Sequence, residues 1–314
     1  MTLTVSRLLQ EKRKQFDLTL RHGATGLDKP IHTSELNRPG LAFAGFLGVY
    51  THDRIQILGN TEIAYLSSLA AEDRRQRLEK ALSSEYEIPC FIVTDAGAPP
   101  TELCEICDRE GIPLLTTSRP TTRFWSNMTF YLEREFAPTA TIHGVLMDIF
   151  GIGVLIQGSA GVGKSECGLE LIERGHQLVA DDVVVVKRLS KTLVVGTAVS
   201  DIQHHMEVRG LGIVDVELLF GAGSVREEKR ISVVVRLERA DCGFEVDRLG
   251  IDEKYTRILD VDVREFCIPL EPGRNAAILV EVAALQHRIH AKGRNPAQEL
   301  NEKLIKQMER SRLV

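Results

Sequence analysis

Residues 158–165 read Gly158-Ser159-Ala160-Gly161-Val162-Gly163-Lys164-Ser165, which satisfies the pattern G-x-x-x-x-G-K-[ST]. Phosphate chemistry needs this arrangement. Glycines let the backbone turn so that several N–H groups converge on phosphate oxygens, and a following helix directs its positive end at them. Lys164 can reach the β- and γ-phosphates of a nucleotide, and the Ser165 hydroxyl can ligate Mg²⁺. An apolar strand, Val154-Leu155-Ile156-Gln157, runs into the loop, and a helix is expected from Ser165 to Arg174, closed by Gly175. That is the context a nucleotide-binding loop requires.

Other candidates lie nearby. Asp181-Asp182 sits inside an apolar run, Leu178-Val179-Ala180 before it and Val183 to Val186 after it. Carboxylates so placed are costly unless paired, hydrogen-bonded or near a cation. One beside a γ-phosphate suits the proton acceptor that phosphoryl transfer to a hydroxyl requires. A lone His143 at a strand end is more often structural than catalytic. The stretch Met206-Glu207-Val208-Arg209-Gly210-Leu211-Gly212-Ile213-Val214-Asp215 combines acid, base and glycines, and is equally open to a functional reading and to a plain turn between strands. Asp247-Arg248-Leu249-Gly250 has the D-x-x-G form of GTPases, but no N-K-x-D segment accompanies it and a G-domain is rejected. Cys104-x-x-Cys107 lacks a second ligand pair and reads as helix packing rather than metal or redox chemistry. His204-His205 reads as part of a polar loop.

These residues must be carried by regular elements. From the pattern, the chain is α/β, with an N-terminal α/β domain over residues 1–130 and a phosphate-loop domain with C-terminal helices over 131–314. In the first, Arg54 to Gly59, Cys90 to Asp95 and Pro113 to Thr117 read as strands. One helical stretch carrying Ile63, Leu66, Leu69 and Leu78 and a second opened by Pro99-Pro100 alternate with them, which predicts right-handed parallel crossovers. A short helix is expected over Trp125 to Phe136. In the second domain, Thr141 to Met147 reads as one strand, Ile149 to Ile152 as a turn, and Gln177 to Arg188 as β-rich. Two helices are expected to close the chain, Ala276 to His290 and Pro296 to Leu313, the latter with Leu300, Leu304 and Met308 on one face.

Composition narrows the class. The 314 residues are 43% hydrophobic and 26% charged, and Lys+Arg number 39 against 44 Asp+Glu, a net charge of −5 that disfavours a general nucleic-acid binder. No apolar run is long enough for a membrane span. Leu8-Leu9 precedes the basic Lys12-Arg13-Lys14, the wrong order for a signal peptide. Six cysteines are too few for a disulfide scaffold, so reduced thiols and a cytoplasmic location are expected.

Together, Ile142-His143-Gly144-Val145, the 158–165 loop, the run Glu173 to Asp182, and above all Glu207 to Asp215 followed by Leu219-Phe220-Gly221 resemble the HPr kinase/phosphorylase family. The resemblance implies a bifunctional enzyme that regulates carbon metabolism. It would use ATP (or pyrophosphate) to phosphorylate a serine of HPr, the phosphocarrier of the sugar phosphotransferase system, and reverse this by phosphorolysis with inorganic phosphate. It implies that His143 and Lys164 are active-site residues, that the loop from Gly158 binds ATP, and that Ser165 with Glu207 holds Mg²⁺. Asp182 would accept the serine proton and return it in reverse, and Arg248 would stabilise the transferring phosphoryl group. Asp181, Arg209, Gly210 and Asp215 belong to the matching segments. A homohexamer and a C-terminal helix that helps dock HPr are implied too. The segment Pro269-Leu270-Glu271-Pro272-Gly273-Arg274-Asn275 departs from the family's Pro-Val-Arg-Pro-Gly-Arg-Asn, associated with dephosphorylation, by placing Glu271 where an arginine is usual. A phosphorylase weak relative to the kinase is therefore expected, unless Glu271 faces solvent and Arg274 alone serves. The alternatives are a small-molecule kinase on the same loop, or an ATP-sensing interaction module that transfers nothing.

Overall fold

The computed structural model describes residues 2–199, 203–239, 253–271, 273–301 and 303. The chain divides into two compact units, 1–136 and 137–314. The expected boundary at 130 falls inside a helix, and the division comes after that helix ends.

Unit 1 is built on α1 (Val5–Phe16), β1 (Thr19–His22), β2 (Leu36–Asn37), α2 (Gly40–Phe43), β3 (Ile55–Leu58), α3 (Asn60–Ser68), α4 (Ala71–Ala81), β4 (Phe91–Val93), α5 (Thr101–Arg109), β5 (Leu114–Thr116) and α6 (Thr121–Glu135). Its sheet runs β1-β5-β4-β3-β2. Strands β2 to β5 are mutually parallel, and β1 pairs antiparallel with β5. The crossover helices α2 to α5 cover one face and α1 and α6 the other, which explains why β3 and β4 are buried at every position. The single helical stretch expected after β3 is two helices. Leu69 and Ala70 are extended, and Arg74 donates to the carbonyls of Leu66 at 3.2 Å and Leu69 at 3.4 Å while pairing with Glu102 at 2.6 Å. That guanidinium satisfies carbonyls a continuous helix would have satisfied internally. Helix α6 begins four residues earlier than Trp125, because the Asp95 carboxylate accepts from the Thr121 amide at 3.2 Å and caps it.

Unit 2 contains β6 (Thr139–His143), β7 (Val145–Ile149), β8 (Ile152–Gly158), α7 (Lys164–Glu173), β9 (Gln177–Ala180), β10 (Val183–Ser190), β11 (Leu193–Ala198), β12 (His205–Val208), β13 (Gly212–Asp215), α8 (Val216–Phe220), β14 (Glu228–Arg230), β15 (Val233–Arg239), β16 (Lys254–Ile258), β17 (Val261–Leu270) and α9 (Ala276–His290). The central sheet runs β16-β17-β15-β8-β7-β9, a second sheet β14-β11-β10-β6, and β12-β13 is a hairpin. Strands β8, β15 and β17 are parallel, so their C-terminal ends share one edge. Helices α7 and α9 cover one face, through Cys167, Leu171, Ala277, Val280 and Ala284.

The strand expected over Thr141 to Met147 is two strands in different sheets, β6 against β10 and β7 against β8. Gly144 makes the switch. A Cβ there would lie 2.6 Å from the Ile156 carbonyl oxygen, so only glycine lets the chain pass. Helix α7 is pinned to α9 through buried Glu281, which accepts from exposed Arg174 at 2.9 and 2.6 Å and bonds buried His176 at 2.8 Å. Residues 296–301 are helical, and the remainder of the expected last helix, with Leu304 and Met308, lies outside the described residues. Among the described residues no helix is long and apolar enough to cross a membrane.

Candidate functional site

Strand β8 delivers the chain into the glycine loop at the C-terminal edge of the central sheet, and α7 leaves from it. Gly163 caps that helix at φ 101°, a conformation side chains resist, so the turn from loop to helix depends on it. The loop, α7, the β9–β10 junction and the β12–β13 hairpin enclose a cleft of about 230 Å³. Ala160, Gly161, Gly163, Lys164, Ser165 and Glu166 line one side, Asp181, Asp182, Glu207 and Arg209 the other.

The Lys164 ammonium donates to the loop's own carbonyls, Gly158 at 3.2 Å and Ser159 at 3.1 Å. An incoming phosphate therefore competes with two neutral acceptors, and a charged oxygen wins that exchange. Ser165, on the first turn of α7, donates its hydroxyl to Asp181 at 3.0 and 3.1 Å, which leaves its oxygen lone pairs free.

Asp181 and Asp182 are adjacent in sequence and opposite in environment. Asp181 is buried, held by the Ser165 hydroxyl and by the Glu207 amide at 3.1 Å. Burial pushes its carboxyl above the usual carboxylate range, with those two hydrogen bonds holding it partly back. Asp182 is 71% exposed and faces His143 Nδ1 at 3.7 Å. Its φ of 62° is in the left-handed region, and the Val183 amide closes a tight turn onto the Asp181 carbonyl at 2.7 Å. A non-glycine residue held there is strained, and such strain gathers at functional sites. Here it turns two consecutive carboxylates to different partners, Ser165 and His143.

The 206–215 stretch is a hairpin turn, and its Glu207 and Arg209 line the cleft. Glu207 sits on β12, paired with Ile213 of β13, and Arg209 extends toward the loop, its Nη2 3.0 Å from where a Cβ on Gly161 would stand. Gly210 and Gly212 form the turn at positive φ. Asp215 is drawn away from the chemistry: it caps α8 by accepting from the Leu218 amide at 3.0 Å. Ser159 and Val162 belong to the loop, Val162 buried beneath it. Pro269 is the penultimate residue of β17, and Glu271, Gly273 and Arg274 follow the strand, outside the cleft lining. The Glu271 carboxylate lies 3.7 Å from the Arg274 guanidinium, both half exposed. Arg248, with the rest of its Asp-Arg-Leu-Gly segment, lies outside the described residues. Cys107 is core, its thiol pushed up by burial, and His204 bonds Glu217 at 2.7 Å. Glu166 was not singled out by sequence; its position directly after Ser165, in the first turn of a helix, is the signal that would have found it.

The acidic groups of the cleft offer the oxygen donors that a hard divalent cation takes, though among the described residues no three of them are gathered as a metal site. Four carboxylates against Lys164 and Arg209 make the cleft by itself a poor host for a phosphate anion, and the hydrogen bonds to buried Asp181 come from neutral donors among the described residues. A cation bound by oxygen ligands corrects both.

The fold and cleft place this chain among two-unit α/β proteins whose second unit presents a lysine, a serine and paired acids around a glycine loop. The HPr Serine kinase N terminus profile matches residues 3–132 and the HPr Serine kinase C-terminal domain profile residues 134–304. HPr kinase/phosphorylase of Bacillus cereus (strain B4264) is 47% identical over 296 residues, 94% of this chain and 95% of the relative. That of Bacillus anthracis (strain A0248) is 46% identical over the same span. A solved Hpr(Ser) kinase/phosphatase from Coxiella burnetii is 34% identical, covering 49% of this chain and 93% of that one, with a TM-score of 0.47. The chain belongs to the HPr kinase/phosphorylase family.

Proposed function

We propose that this chain phosphorylates a serine of HPr with ATP, or pyrophosphate, and removes that phosphate by phosphorolysis, regulating carbon use through the sugar phosphotransferase system. The observation that carries the reading is the meeting of Lys164, Ser165, Asp181, Asp182 and Glu207 in one cleft on the glycine loop. The loop amides and Lys164 hold the β- and γ-phosphates, Lys164 exchanging the Gly158 and Ser159 carbonyls for phosphate oxygens. Ser165 and Glu207 would hold Mg²⁺, with Asp181 orienting the serine hydroxyl; the ion supplies charge neutralisation between the phosphates.

Asp182 accepts the proton of the HPr serine as its oxygen attacks the γ-phosphorus in line. Its exposure lets a protein substrate reach it, and its turn fixes its direction. His143 stands alongside, placed to share the charge that develops there. In reverse, inorganic phosphate attacks phosphoserine, Asp182 returns the proton to the serine oxygen, and pyrophosphate leaves. Arg248 and Arg209 would stabilise the phosphoryl group in transfer. The carboxylate beside the loop favours an enzyme over an ATP sensor. A homohexamer in the cytoplasm is the assembly we expect, to be measured by light scattering.

The test is incubation with Mg-ATP and HPr, wild type and serine-substituted. Acid-stable phosphate on the first and none on the second supports the reading. Labelling of both, or of neither while ATP is bound, overturns it.

A further inference from the structure

Unit 1 has no part in the chemistry described above, yet it carries a cavity of about 450 Å³. The cavity opens where β4 and β5 end and where β1 begins, lined by Asp17, Thr19, Arg21, Thr116 and Ser118.

Three features of the lining point to a ligand class. Arg21 has no carboxylate partner among the described residues; its Nε donates only to the Thr116 hydroxyl, at 3.1 Å. Thr19 and Thr116 face one another across the β1–β5 pair, a row of hydroxyls beside that guanidinium. At the other end Asp17 accepts from the Ser118 hydroxyl and amide, which holds its carboxyl below the usual range and leaves a further acceptor site open. His22 is turned onto Asp108 at 2.8 Å and adds no free charge. The acceptor end is four residues before Arg21 in the chain, at most about 13 Å away even if that stretch were fully extended.

The loop between β4 and α5 adds an independent sign. Asp95 and Ala96 are consecutive non-glycine residues at φ 58° and 53°. Asp95 is held there by Thr121, and the Ala96 amide donates to the Thr117 carbonyl at 3.1 Å, so the loop is fixed against β5 with Ala96 lining the cavity. Residues held in this region gather at ligand clamps.

We propose that unit 1 binds a small hydroxylated oxyanion in this cavity, its charged end on Arg21 and its hydroxyls on Thr19, Thr116, Ser118 and Asp17. A carboxylate or a phosphate ester on a polyol presents that shared chemistry, and the experiment separates them. The site is independent of the phosphate loop.

The test is calorimetric titration of the full chain with D-glycerate, glycerol 3-phosphate and glycerol. Saturable binding of either or both anions, and none of glycerol, is expected. Arg21→Gln should weaken it roughly ten- to a hundredfold, the worth of a charged hydrogen-bond pair, and Ser118→Ala by about fivefold. Lys164→Ala should leave it unchanged, which separates this cavity from the phosphate loop. Binding of one anion alone identifies the class. No saturable binding of either anion, equal binding of glycerol, or binding that survives Arg21→Gln and vanishes with Lys164→Ala would overturn the proposal.

Discussion

Replacing Glu271 by arginine should strengthen phosphorolysis and leave the forward reaction nearly untouched. Glu271 follows β17, whose C-terminal end lies on the same sheet edge as the glycine loop, two strands from β8. At ~4.8 Å per strand that is roughly 10 Å. Phosphorolysis brings phosphate and phosphoserine together, so its barrier is sensitive to charge at that range. A two-unit change against a dianion at 10 Å in water is about 1.7 kcal/mol before screening. With a Debye length of ~30 Å at 10 mM salt about 1.2 kcal/mol survives, at 0.1 M about 0.6, and at 1 M almost nothing. The substitution also frees Arg274 from its 3.7 Å partner, though both ends are half exposed and the pair is worth about 1 kcal/mol or less. The phosphate concentration for half-maximal phosphorolysis should therefore fall about sevenfold at 10 mM salt and about threefold at 0.1 M, with kinase kcat/KM within twofold. The assay is pyrophosphate release from phosphorylated HPr across a phosphate and salt series. No change at 10 mM salt, or an equal change in both directions, would refute the electrostatic argument.

Other outcomes follow from the same geometry. Lys164→Ala should lower phosphorylation by roughly a thousandfold with an unchanged melting temperature, because among the described residues its hydrogen-bond partners are loop carbonyls; near-normal turnover would remove the loop from the mechanism. Asp181→Asn should abolish activity yet melt at or above wild type at pH 8. Burial raises the folded carboxyl, so that group's contribution to stability is complete where it is protonated and is lost as pH rises through its folded value. The advantage of Asn should vanish below about pH 4, and a variant much less stable at pH 8 would contradict this. Glu281→Ala should destabilise unit 2 by about 1–2 kcal/mol in urea unfolding, since it leaves buried His176 without its partner while exposed Arg174 returns to water; an unchanged stability would show the clamp to be idle.

What the sequence made legible were features set by local chemistry. The glycine loop could be read because a strand, three glycines, Lys164 and Ser165 are consecutive. The parallel order of β3, β4 and β5 followed from alternating patterns. What escaped depends on residues distant in sequence. The break between α3 and α4 rests on Arg74 reaching Glu102, and periodicity contains no trace of it. The division of one expected strand into β6 and β7 rests on a close approach of Gly144 to the Ile156 carbonyl. Asp181 and Asp182 read as one acidic pair; only a left-handed Asp182 backbone assigns one to Ser165 and the other to His143.

The central claim is that one carboxylate, Asp182, serves both directions in one cleft. The direct measurement starts from phosphorylated HPr, adds inorganic phosphate, and follows both the HPr mass and pyrophosphate, for wild type and Asp182→Asn, alongside the forward reaction and nucleotide binding. Wild type should release one pyrophosphate per HPr dephosphorylated. Asp182→Asn should bind nucleotide and fail in both directions, because Asn keeps the shape and cannot carry the proton. Dephosphorylation without pyrophosphate, or phosphorolysis by Asp182→Asn at near the wild-type rate, would contradict the account.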